Sequence, residues 1–287
     1  MATLKDIKIR MGSIKNTQHI TKAMKMVAAS KMKRAEDKIS SASPYKEKLS
    51  ALVSNLSAGI DESSHPLMEK RVGGKALVLL ITSDKGLCGG LNSNLCKALS
   101  KSFMKKDNEF KEVEIIAFGK KGYEFFKHRN TDIADTIKDH KESELAVLLE
   151  NKVKELIEDY MEGKYNYLFL AYNHFKNVIT QEIKIQQVLP IKPPENEEKS
   201  DINLEFIFEP DKNELLSGIL PQYVENQAFT ALLDSLACEH ASRMTAMDAA
   251  TKNASEMLSA LQLKYNRARQ AMITTELIEI ISGAESI

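Results

Sequence analysis

The chain has 287 residues, 43% hydrophobic and 28% charged, with 40 basic side chains balanced by 40 acidic ones. That length holds one large domain or two ordinary ones, the composition supports a soluble protein with a real core, and no apolar run approaches the ~20 residues that span a bilayer. Cys88, Cys96 and Cys238 form no CxxC pair and suit a reducing compartment, and the six histidines fall at no zinc spacing.

The opening MATLKDIKIR lacks a signal peptide's apolar region and runs unbroken into a helical pattern, which argues against a cleavable leader. Thr3 is expected to cap that helix, with Asp6 completing a capping box. Apolar or small residues recur at Leu4, Ile7, Met11, Ile14, Thr21, Ala28, Met32, Ala35 and Ile39. Their alternating three-and-four spacing is a coiled-coil seam, loosened by Gln18 and Lys25. Pro44 is expected to kink the helix, after which Leu49, Leu52, Val53 and Leu56 resume the pattern as far as Gly59.

The middle of the chain reads differently. KALVLLITS (75–83) and YNYLFLAYN (165–173) are nearly continuous apolar runs, as buried parallel strands are. VEIIAFG (113–119) is a further strand, and VITQEIKIQQVLP (178–190) alternates like a half-exposed one. Helical patterns fall between them at about 92–106, 120–128 and 142–162, so strand and helix alternate and predict a small α/β domain with a mostly parallel sheet. IKPPENEEKSD (191–201) reads as a mobile loop, LEFIFEP (204–210) as a last short strand, and Asp211 as the opening of a helical turn.

From Gln222 to Ser282 there is neither Gly nor Pro, a run of 61 residues. Its expected seam is Phe229, Leu233, Leu236, His240, Met247, Ala250, Ala254, Met257, Leu261, Ala268, Met272 and Thr275. Helices of this length measure ~80–90 Å, whereas a domain of ~140 residues has a radius of gyration near 14 Å. Helix stability comes mainly from packing an apolar face. The two ends are therefore expected to pair with each other, antiparallel, as a rod on a globular foot. The fold class is α/β: a long antiparallel two-helix coiled coil with an inserted Rossmann-like domain. The expected divisions are 1–58, 70–210 and 211–287.

SDKGLCGGLNSN (83–94) lies between a strand and a helix, where phosphate-binding loops lie, yet it matches neither GxGxxG nor GxxxxGK[ST]. Gly86, Gly89 and Gly90 serve as turn residues, with Asn92 or Ser93 capping the next helix; GKKGYEF, with Gly119 and Gly122, reads the same way. Cys88 has no base nearby in sequence. Glu276 and Glu279 share a helix face without a further ligand, and His240 reads as a packed helix residue. No catalytic constellation, metal or cofactor is expected.

Between Asp6 and Glu36 there are eight Lys or Arg and no carboxylate. Residues 1–38 carry ten basic and three acidic groups, a net of +7, against −7 over the remaining 249. The bland reading is a solvated face. A nucleic-acid-binding coiled coil is a second reading, although a base-reading helix carries Arg and Asn where this one carries Lys, Met and Ala. An acidic protein partner, drawn by diffuse Lys charge, is the third. An enzyme built on the α/β domain would require saturable nucleotide binding.

RMGSIKNTQHITKAMKMVAASKMKRA (10–35) closely resembles the N-terminal helix of the γ subunits of F-type ATP synthases, and ITTELIEIISGAES (273–286) their C-terminal signature. SDKGLCGGLNSN (83–94), FEPD (208–211) and ASRMTAMDAATKNA (241–254) match segments between, so the resemblance runs from end to end. It lacks the cysteine-bearing regulatory insertion of chloroplast members, as a bacterial or similar thiol-insensitive member would. The resemblance implies a non-catalytic central rotor shaft. Its coiled coil passes through a ring of alternating α and β subunits (α3β3). Its foot sits with ε on the membrane ring of c subunits, at the cytoplasmic face of the bacterial inner membrane, with no nucleic acid or small-molecule substrate of its own. It further implies that Lys22, Met24 and Lys25 meet an acidic lever of the β subunit, and that Arg269 and Gln270 bond a β-subunit loop. Thr274 and Glu276 match polar members of the terminal signature, Arg243 and Asp248 the middle segment, and Glu209 the foot surface toward ε and the c-ring.

Overall fold

The computed structural model describes residues 3–57, 65–71, 73–103, 110, 112–129, 131, 133–192 and 212–285. The element order is α1 (Leu4–Ser57), β1 (Lys75–Ile81), α2 (Leu91–Phe103), β2 (Glu112–Phe118), α3 (Lys120–Lys127), β3 (Ile133–Ile137), α4 (Leu145–Met161), β4 (Tyr167–Phe175), β5 (Gln181–Leu189) and α5 (Lys212–Glu285). Two compact units emerge: Lys31–Ser242, and Met1–Ser30 with Arg243–Ile287.

In the larger unit the sheet order is β3-β2-β1-β4-β5, parallel throughout except for antiparallel β5 at one edge. The apolar run of β1 is buried on both faces because successive side chains point opposite ways. Leu77, Leu79 and Ile81 join the core formed with α4, the end of α1 (Val53, Leu56) and the first third of α5 (Leu216, Leu220, Val224, Ala228). Val78 and Leu80 face Leu95, Leu99 and Phe103 of α2 and Phe126 of α3. Gly119 turns β2 into α3 at φ 114, where a Cβ would lie 2.1 Å from the Thr82 carbonyl oxygen.

β3 was not expected. IADTI is an edge strand, half-exposed and acidic, so it carries no continuous apolar run. It is held by Lys152 of α4, a buried ammonium 2.6 Å from Asp135 and 2.8 Å from Glu155. Helix α1 passes Pro44 as one helix, with Leu49, Val53 and Leu56 buried beyond it and Leu52 exposed, against expectation. Helix α5 starts earlier than the Gly/Pro-free run, continuing through Gly218 and Pro221. Buried Leu216, Leu220 and Val224 anchor it on both sides of that proline. Asp211, the strand at 204–210 and nearly all of the 191–201 loop lie outside the described residues.

In the smaller unit α1 and α5 run antiparallel. The capping box at the start of α1 forms as expected: the Thr3 amide donates to Asp6 Oδ2 (3.0 Å) and the Asp6 amide to Thr3 Oγ1 (3.2 Å). Across the seam Lys25 Nζ lies 2.5 Å from Asp248 Oδ1, and the hydroxyls of Thr21 and Thr251 are 2.8 Å apart. Ile7, Thr21 and Ala28 are buried on α1, opposite Met247 and Ala254. The seam of α5 runs Met247, Thr251, Ala254, Leu258, Leu261, Tyr265 and Ala268. Met257, Met272 and Thr275 therefore leave the expected seam for solvent, as does Phe229 in the larger unit.

Candidate functional site

The pairing of residue 25 with 248, and of 21 with 251, sets a register that brings Leu4 level with Ala268. The last part of α5 therefore overhangs the start of its partner helix. From Arg269 to Ala284 every side chain is exposed. Met272, Ile273, Leu277, Ile278, Ile280 and Ile281 are 46–68% exposed, spread over about two-thirds of the helix circumference. So broad an exposed apolar surface is one that something else buries. Within this tip Thr274 Oγ1 donates to the Gln270 carbonyl at 2.9 Å and Glu276 stands in solvent. Arg269 has no ion-pair partner among the described residues.

The basic stretch is less uniform than its composition suggests. Lys25 is held by Asp248, Lys31 by Glu142, and Lys33 by Glu36 and Asp37. Lys25 and Lys252 together hold the Asp248 carboxyl below its ordinary range. Among the described residues no carboxylate pairs with Lys8, Arg10, Lys15, Lys22 or Arg34. Lys8, Lys15 and Lys22 recur every seven residues, so they form one stripe beside the seam. Met24 is half-buried, one turn from Thr21 and Ala28 on the seam side. The resemblance singled out Lys22 alone of that stripe; the seven-residue spacing was the signal for the other two. Glu209 lies outside the described residues.

In the larger unit, open α/β sheets take ligands at the carboxyl ends of strands where the winding reverses, here between β1 and β4. That crevice is filled by the chain itself. Cys88 and Leu91 pack there with Phe175 and with Cys238 of α5. Burial pushes the Cys238 thiol well up, away from reactivity. The glycine-containing loop spends its polar groups internally. Asn92 Oδ1 accepts from the Ser83 amide at 3.1 Å, and its Nδ2 donates to Ser83 Oγ at 2.7 Å. The Ser93 hydroxyl donates to the Gly90 carbonyl at 3.1 Å. Asn92 and Ser93 thus latch the turn instead of capping α2, which begins at Leu91. Glu276 and Glu279 are solvated, and His240 is buried beside Glu142.

A family model described as ATP synthase matches residues 3–287. An "ATP synthase gamma chain" of Geotalea daltonii is 48% identical over 100% of this chain and 99% of its own length. One from Pelagibacter ubique is 45% identical over 100% of both. Among solved structures, a chain of the central stalk/c-ring of the Tetrahymena thermophila mitochondrial ATP synthase aligns with a TM-score of 0.60 and 26% identity, covering 80% of this chain and 99% of that one. A chain of the Euglena gracilis mitochondrial ATP synthase shares the fold, with a TM-score of 0.67 at 17% identity, over 99% and 94%.

Proposed function

The chain belongs to the ATP synthase family, matched along its whole length by gamma chains, and from that premise we propose that it is the central rotor shaft of an F-type ATP synthase. The observation that carries this reading is the overhanging apolar tip of α5, a helix end that its own partner helix stops short of covering. Inside a sleeve of α and β subunits such a tip is buried on every side. It still turns, because dispersion contacts are weakly directional. Burying a half-exposed Leu, Ile or Met contributes about 1 kcal/mol per side chain.

The stripe of Lys8, Lys15 and Lys22, unpaired among the described residues, supplies attraction without bidentate geometry. Diffuse charge favours an acidic β-subunit lever in one conformation over another and releases it as the shaft turns. Lys25 shows part of its side chain to that lever while bound to Asp248, and Met24 packs beside it. Arg269 and Gln270 bond a β-subunit loop, with Thr274 and Glu276 further along the same tip. The larger unit carries the load toward ε and the c-ring, and Glu209 belongs to that surface. The boundaries 1–58, 70–210 and 211–287 mark N-terminal shaft, foot and C-terminal shaft. Each proton crossing 100 mV yields ~2.3 kcal/mol, so several together move free energy comparable to the ~5–15 kcal/mol that hold a domain folded. The chain itself makes and breaks no bonds, consistent with a crevice filled by Cys88, Leu91, Phe175 and Cys238. No described helix is long and apolar enough to cross a membrane. Association with the cytoplasmic face of the inner membrane runs through the c-ring.

Mixing the chain with α and β subunits tests this. The expected product is one asymmetric complex holding a single copy of the chain, with steady ATPase turnover above that of α and β alone. Several copies per complex, or unchanged turnover, would contradict it.

A further inference from the structure

A shaft that carries torque must be fixed to the body that drives it, and apolar packing is poorly suited to that task. Leu and Ala side chains in a groove resist separation but let a helix roll, since their contacts are many, weak and undirected. Short charge-assisted hydrogen bonds are directional and roughly twice as strong as neutral ones. The larger unit holds such a bond to α1 where that helix enters it, and sets the same carboxylate against a buried histidine of α5.

Glu142 lies in the turn between β3 and α4. Its Oε2 accepts from Lys31 Nζ of α1 at 2.6 Å, and its Oε1 is 3.5 Å from His240 Nε2 of α5, too long for a hydrogen bond but an ion pair whenever the imidazole is protonated. Lys31 is the first residue of this unit, and His240 lies next to its last residue but one. His240 is 3% exposed, so its position is fixed by packing. The turn that carries Glu142 is tied to the sheet: Asp84, beyond β1, accepts from the His140 amide at 3.3 Å and from the Lys120 amide at 2.7 Å. Helix α5 gains two more polar ties, Ser242 Oγ donating to Gln181 Oε1 at 2.6 Å and His174 Nδ1 lying 2.6 Å from Asp234 Oδ2. These two neighbours keep Glu142 ionised, pulling its carboxyl down to about 2, with His240 the larger influence and Lys31 the next.

We propose that Glu142 is a torsional latch: by gripping Lys31 on α1 and His240 on α5 together, it passes turning force between the sheet and both helices. It is a positioning residue, acting through the helices it holds. The proposal rests on the shaft reading above, and adds to it the place where torque enters the helices.

The test uses the complete enzyme reconstituted in vesicles, comparing proton pumping per ATP hydrolysed with the hydrolysis rate. Glu142→Ala is expected to leave hydrolysis nearly unchanged while pumping per ATP falls about two- to tenfold, most under an opposing proton gradient. Glu142→Asp, which keeps the charge at shorter reach, recovers part of the loss. Lys31→Met and His240→Gln each cut one arm and give intermediate losses, and they serve if the alanine variant fails to assemble. A merely structural role would lower the melting temperature with the pumping ratio intact. An unchanged ratio in Glu142→Ala, or in both single-arm variants, overturns the latch. If the unsubstituted chain itself supports neither hydrolysis nor pumping, the shaft reading has failed and not the latch alone.

Discussion

Arg269 and Lys25 are both cations on the coil, yet their surroundings assign them different work. Arg269 has no ion-pair partner among the described residues, so removing it is expected to leave the fold intact and, on the proposed reading, to take away a contact to another subunit. Arg269→Ala is expected to cut steady ATPase turnover of the reconstituted complex by about tenfold, the size of one lost charged contact, without moving the melting temperature of the free chain. Lys25 is shared with Asp248, so Lys25→Ala is expected to loosen the coil as well as the interface, and Lys22→Ala the interface alone. Circular dichroism melts of the two variants separate these outcomes. Glu142 supplies a pH signature. Its folded carboxyl binds a proton more weakly than the unfolded one, so its contribution is full above the ordinary carboxylate range of roughly 4.3 and is lost as pH falls through that value toward about 2. Melting temperature is therefore expected to fall more steeply with acid in the unsubstituted chain than in Glu142→Gln. Parallel slopes would remove the latch from the stability balance. Sequence reading placed His240 as a packed helix residue, which it is. The partnership with Glu142 was invisible to periodicity, because it joins positions about a hundred residues apart.

At the scale of elements, legibility followed how sharply one face differs from the others. The seam of α1 was readable because the buried Ile7, Thr21, Ala28 and Ala35 recur at seven-residue intervals in a helix otherwise rich in Lys, Ser and Asn. The seam of α5 was read partly out of phase, with Met257 in place of Leu258 and Phe229 in place of Ala228, because Ala, Leu and Met occur on every face. There α5 is buried broadly: Ala231, Leu232, Leu233, Asp234 and Ser235 are all buried in succession, and no single period describes them. Strands β1, β2 and β4 announced themselves by apolar runs, whereas β3 is held by the Lys152–Asp135 pair, which composition does not reveal. The overhang of the tip needed the register, which the 25–248 and 21–251 pairs supply. Shortening α5 from its C-terminal end is expected to reduce proton pumping in steps, each lost apolar residue removing about 1 kcal/mol of bearing contact. Complete loss with the first few residues would instead mark a single essential group. Replacing Lys8, Lys15 and Lys22 together with Gln is expected to slow assembly at low salt about tenfold and to flatten its salt dependence. An assembly rate with unchanged salt dependence would show that the stripe does not steer.

For the whole molecule, the sequence conveyed the two ends as partner helices and the middle as an α/β domain, through the contrast between a long three-and-four spacing at the ends and short apolar runs alternating with helical patterns between them. Function was legible only where the terminal segments resembled a family, since Lys22, Met24, Arg269 and Gln270 look like ordinary surface residues until partner chains are considered. A neutral chain with +7 gathered in its first 38 residues, an apolar tip and a crevice filled by its own α5 makes sense when other subunits complete it. The most direct measurement is to fix α and β subunits to a surface, attach a bead to the α/β domain of this chain, and watch it while ATP is supplied. The bead is expected to turn stepwise in one direction, at a rate set by ATP hydrolysis. ATP consumed beneath a bead that stays still or only jitters would contradict the shaft.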